Sequence, residues 1–273
     1  TLCSSIVTLL LILILPSRDN DSNVILMAWV YVLAVNVPLL IATIAIFAKK
    51  LSYARPNIKY FTIKYAKDIL ILGGAFFFTQ IAYMIIMNTN EILISYFSDA
   101  QYVVEYQIYF KLFTLIGTIF SLALTPIWSA VTKALTEKKY YWVRKLYKKL
   151  LLFAGLGCLL EFLLIPFLQL IINIWLAEDA IQVNYFYALV FAIFGGLMIL
   201  NSVLSSIANG AGELKTQVIF FGTGAVIKIP LSWFLVTQLD SWIFIIIVNI
   251  ISLSLYCIIQ PIFIKNYFKK LSQ

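Results

Sequence analysis

Five ionisable side chains lie within otherwise apolar runs of the sequence: Glu91, Glu105, Lys111, Glu161 and Lys228. A charge inside a hydrocarbon layer is costly, so such residues face a bundle interior or a wet cavity and mark candidate sites for ions or polar ligands. Glu91 and Glu105 lie near the ends of their runs, where they can reach an interface. Lys111 lies about eight residues in and can partly snorkel out. Lys228 and Glu161 are central. They predict either a functional interior position or a structural ion pair with each other.

The helical period extends these charges into polar stripes. Gln107, Lys111, Thr114, Thr118, Ser121 and Thr125 share one face. Gln80 and Glu91 align, as do Gln217, Gly224, Lys228 and Ser232, then Asn249, Ser252, Tyr256 and Gln260, and then Asn201 and Ser205. Five segments each offering one stripe predict a bundle around a polar lumen, with Gln80, Glu91, Lys111 and Lys228 facing one space. The candidate substrate-binding set is Lys111, Lys228, Gln80, Gln107, Glu91, Glu161 and Asn201. Stripes of Ser, Thr and Asn also hold helices together, which is the structural alternative for any one hydroxyl.

Other chemistries find little support. The chain has no histidine, and Cys3, Cys158 and Cys257 are scattered through apolar segments, so no zinc spacing, disulfide framework or Ser-His triad can be assembled. No phosphate loop or nucleophile elbow occurs. No cofactor is implied.

The elements that position these residues are membrane spans. The sequence is 63% hydrophobic and 12% charged, with mean hydropathy +0.98, far from the average soluble domain. Apolar stretches at 1–16, 25–48, 69–94, 103–130, 149–176, 183–208, 216–236 and 242–264 are each about long enough to cross ~30 Å of hydrocarbon, the first being cut short. An all-α polytopic bundle of about eight transmembrane helices is expected. Pro38, Pro166 and Pro230 interrupt spans and predict bends.

The net charge of +8 has a topological cause rather than nucleic acid as its partner. Of the 20 basic residues, 17 fall in alternate connections: 49–68, 131–149, 209–215 and the tail from 265. That is the positive-inside pattern, and it places both chain ends in the cytoplasm. The opposite loops hold Asp99, Glu178, Asp179 and Asp240. Two basic stretches, Asn57–Ile69 and Thr136–Leu150, have apolar residues at helical spacing. They predict helices in the headgroup plane or extensions of the following span, with anionic lipid or simple anchoring as their role. The chain begins at Thr1 inside an apolar run, which predicts an upstream segment of about four spans.

Residues Phe76–Trp175 resemble the Wzx-type oligosaccharide flippases of the MATE-like superfamily. The resemblance is carried by Phe76-Phe77-Phe78-Thr79-Gln80, Glu91–Ser95, Tyr106–Phe113 and Thr125–Ala130. A second block, Asn209–Gln217 followed by Lys228–Ser232, is similar to the same family. The resemblance implies a two-lobe fold. Residues 1–48 would be the last two spans of the first lobe, 49–68 a cytoplasmic linker, 69–264 the six-helix second lobe and 265–273 a basic tail. It implies a transporter, not an enzyme, that moves an undecaprenyl-diphosphate-linked oligosaccharide across a bacterial plasma membrane. Membrane lipids and other polysaccharide-assembly proteins would be its partners. Lys111 matches the family's basic lumen position. A drug/cation antiporter of the same superfamily, a lipid II flippase and a membrane-embedded polymerase or ligase are the alternative readings.

Overall fold

The computed structural model describes residues 20–176 and 181–271, so the expected first span at 1–16 and the acidic pair Glu178 and Asp179 lie outside the described residues. Every regular element among the described residues is helical, and seven helices are long and apolar enough to cross a membrane. The chain is therefore a multi-pass α-helical membrane protein. It divides into two compact units, residues 1–66 and 67–273.

In the first unit, α1 (Asn20–Ala45) continues as a π-helical turn, Ile46–Lys50. The last carbonyls of a helix have no intrahelical donor. Here the Arg55 guanidinium supplies donors, at 2.8 Å to the carbonyl of Phe47 and 3.1 Å to that of Ala48. The expected surface helix over Asn57–Ile69 is not continuous. Ile58–Tyr60 forms one 3-10 turn and Phe61 is extended, so the apolar residues Ile58 and Phe61 are not part of a helical face. Pro56 and the capping carbonyl of Asn57 favour a turn over a helix here.

The second unit is a bundle. Helix α2 (Ile63–Asn88) is followed directly by the short α3 (Asn90–Phe97), so the expected unbroken span at 69–94 is divided at Thr89. Then come α4 (Tyr102–Thr136), α5 (Tyr140–Leu164), a 3-10 turn Ile165–Phe167 at Pro166, α6 (Leu168–Trp175), α7 (Tyr185–Ala211), α8 (Lys215–Leu239) and α9 (Ile243–Leu271). Pro166 produces the expected break, whereas Pro38 and Pro230 sit within continuous helices. The basic stretch 136–150 resolves into a reversal at Glu137–Lys139, with Lys138 at φ 56°, and the first turns of α5.

Helix α7 is the centre and packs on α4, α5 and α9. Its close approach to α4 needs glycine: a Cβ on Gly195 would come within 2.5 Å of the Phe113 carbonyl oxygen. The side chain of Asn184 accepts from the first backbone N–H groups of α7, and Gly212 at φ 70° ends the helix. Around the first turns of α7, Tyr106, Tyr109, Phe113, Phe191 and Trp242 form a buried aromatic cluster. The buried side chains of helix α2 are in its second half: Thr79, Ala82, Ile86 and Met87.

Candidate functional site

A cleft about 350 Å³ in volume lies among α2, α4, α7 and α8. Gln80 and Tyr83 line it from α2, Ser121 and Trp128 from α4, Asn201 from α7 and Gln217 from α8. None of the residues lining it is charged. Its floor is cross-linked. Gln217 Nε2 donates to Asn209 Oδ1 at 3.0 Å and to the Tyr256 hydroxyl at 3.2 Å, and Ser205 donates to Asn201 Oδ1 at 3.4 Å. Trp128 stacks on Phe76 with ring centroids 5.2 Å apart. Two of the sequence candidates, Gln80 and Asn201, therefore meet here.

The α4 stripe runs along the open side of the bundle. Thr114 and Thr118 donate to carbonyls one turn back, those of Phe110 and Thr114, at 2.6 and 2.8 Å. Their hydroxyls are satisfied by their own helix rather than by a neighbour. Lys111 is exposed and has no ion pair or hydrogen bond among the described residues. It does not pair with Glu91 or Glu105. Glu91 accepts instead from Gln107 Nε2, which joins α3 to α4. Ser121 follows Lys111 by ten residues on the same stripe, about 15 Å of helix rise.

Lys228 and Glu161 are elsewhere, and the expectation of one shared lumen is corrected. Both are fully buried. Lys228 Nζ reaches the carbonyl of Ile86, Asn90 Oδ1 at 2.6 Å and Asn249 Oδ1 at 2.7 Å, packed between α2, α3, α8 and α9. The Glu161–Lys228 ion pair, one of the two alternatives the sequence offered, does not form. Glu161 projects from α5 toward α7 at Gly195, and neither of its oxygens has a hydrogen-bond partner among the described residues. The α8 and α9 stripes pack on one another, as Gly224 against Ser252 shows, so in that part of the bundle polar residues hold helices together.

Asn90 is the residue that sequence reasoning missed. It sits beside Glu91, the more conspicuous neighbour. The signal was the Asn88-Thr89-Asn90 triplet inside an apolar run, since such side chains compete for backbone groups and interrupt helices. A further cavity of about 800 Å³ lies at the end of α9, with Lys215, Lys270, Phe263 and Tyr267 among its lining residues. No protein family, curated protein or solved structure matches the chain.

Proposed function

We propose that this chain forms the substrate-handling part of a transporter that moves a polyprenyl-diphosphate-linked oligosaccharide across a bacterial plasma membrane by alternating access. The observation that carries this reading is the uncharged cleft of amides, hydroxyls and aromatic rings among four spans. Sugar hydroxyls need neutral donors and acceptors, and a sugar's apolar face suits an exposed ring such as Trp128. Lys111 supplies a cation further along the same face of α4, at a separation that suits a diphosphate whose glycan occupies the cleft. A drug/cation antiporter is less well supported, because the cleft has no carboxylate and Glu161 is sealed away from it. A lipid II flippase shares the required chemistry and is distinguished by substrate. Loops 49–68 and 131–149 face the cytoplasm in this reading, since they carry most of the basic residues.

The test is reconstitution of the full-length gene product in vesicles with a fluorescent polyprenyl-diphosphate oligosaccharide, reading glycan exposure with an external glycosidase. Asn201→Ala and Trp128→Ala should each lower the rate at least about tenfold, the scale of a lost buried polar or stacking contact. Unchanged rates in both correctly folded variants would overturn the reading. Proton-driven export of a cationic dye, with no glycan movement, would favour the antiporter. Cysteine placed at 138 should escape labelling from outside, and cysteine placed at 99 should react.

A further inference from the structure

The surroundings of Lys228 are those of a cation site. The final carbonyls of α2 have no intrahelical donors because the helix stops at Asn88. Three side chains serve them in succession. Thr89 Oγ1 donates to the Ile85 carbonyl at 2.7 Å, Lys228 Nζ to that of Ile86, and Asn90 Nδ2 to that of Met87 at 3.1 Å. The amide orientations follow from this network. Asn90 Nδ2 is committed to the Met87 carbonyl and to the Tyr106 hydroxyl at 3.0 Å, so its Oδ1 turns toward Lys228. Asn249 Nδ2 donates to Asn90 Oδ1 at 2.9 Å, so its own Oδ1 also faces the lysine.

Lys228 therefore meets three oxygens that can only accept. A neutral amine has two protons to give, whereas an ammonium has three and matches the set. No carboxylate takes part. The positive charge is held by neutral oxygens at the negative end of α2. Converging neutral oxygens at the interrupted end of a membrane helix are also the kind of ligand that binds an alkali ion.

We propose that the Lys228 ammonium occupies, as a covalently tethered cation, a site built for a monovalent alkali ion, and that removing the lysine opens this site to a free one. Neutral oxygens alone do not compensate the dehydration of a divalent ion, so the site selects single charges. Ser232, one turn further along the same face of α8, is buried, and its hydroxyl has no hydrogen-bond partner among the described residues. With the lysine present, the joint between α2, α3, α8 and α9 needs no free alkali ion. The inference concerns folding of the second unit and stands whether or not the transport reading holds.

The experiment compares the full-length chain with Lys228→Ala and Lys228→Met, each purified in choline-buffered detergent and titrated with Li⁺, Na⁺, K⁺, Rb⁺ and Cs⁺ while thermal unfolding is followed. Lys228→Ala keeps the oxygens and vacates the centre. At about a hundredfold excess over Kd, one alkali ion should raise its Tm by roughly 5–10 °C, and choline should not. Lys228→Met fills the same space without charge and should show no ion-specific rise, like the parent. Should Lys228→Ala fold only when one of these ions is present, the site is equally supported. If no alkali ion raises its Tm or recovers folded protein, the oxygens do not form such a site and the proposal fails. The same ion stabilising the parent or Lys228→Met equally would also overturn it, by locating the effect elsewhere.

Discussion

Lys111 and Lys228 both interrupt apolar spans, yet the structure treats them in opposite ways. Lys111 stands exposed on the open face of α4 with its ammonium unengaged among the described residues, and Lys228 is enclosed with three acceptors around it. The same contrast divides the second unit. On the α2 and α4 side, polar groups line an open cleft, and the Thr114 and Thr118 hydroxyls are satisfied by their own helix. On the α5, α8 and α9 side they are sealed between helices. A charge with no partner is free to meet a ligand, whereas one that saturates three buried acceptors is part of the fold.

That contrast is open to direct test through stability, and the largest effect belongs to Lys228. In choline buffer, Lys228→Met should lower unfolding free energy by about 3–5 kcal/mol, because it strands the Ile86 carbonyl and the buried Asn249 Oδ1 and leaves Asn90 Oδ1 with Asn249 Nδ2 as its remaining donor. Thermal unfolding in detergent measures it, and a loss under 1 kcal/mol, on the order of one ordinary hydrogen bond, would erase the distinction drawn between the two lysines. Next comes Gly195→Ala. Its Cβ meets the Phe113 carbonyl at 2.5 Å and the Glu161 carboxyl carbon at 2.9 Å, so α4 and α7 must separate. Overpacking of that kind costs about 1–3 kcal/mol, again read by thermal unfolding. Glu161→Gln should be smaller, within about 1 kcal/mol, because the amide matches the carboxyl in shape and no partner is lost. Collapse of that variant would mean that Glu161 acts as a paired anion, which would move it from the packed interior to the functional set.

The sequence reading found the helical membrane class, the positions of the seven described spans and the break at Pro166, because hydropathy and proline act locally. It also found Gln80 and Asn201, which converge on the cleft from different helices. It joined Lys228 and Glu161 to that set wrongly, because a helical period tells which residues of one span share a face and not what that face meets. The three-residue signal at Asn88–Asn90 was legible, but hydropathy averaged across it and drew one span where α2 and α3 meet. The partner of Glu91 was equally out of reach. Gln107 and Lys111 are one turn apart on α4, and only the crossing of α3 decides which of them meets the carboxylate.

Lys111→Gln gives the smallest expected change in stability and the sharpest separation of the two regions. Its ammonium contacts nothing among the described residues, so removing the charge should alter unfolding by no more than about 0.5 kcal/mol, as for an uncoupled surface substitution. If the proposed function is right, the same variant should transport poorly, because it removes the cation that attracts the diphosphate. Arg at position 111 retains the charge and should retain most of the rate, and it adds a fork that suits phosphate oxygens. The two measurements, thermal unfolding and glycan exposure in vesicles, must therefore diverge for Lys111→Gln. Loss of stability and transport together would place Lys111 with Lys228 as a structural cation. Normal transport at normal stability would leave the lysine without a substrate role, and the diphosphate contact would then have to be sought elsewhere on the open face.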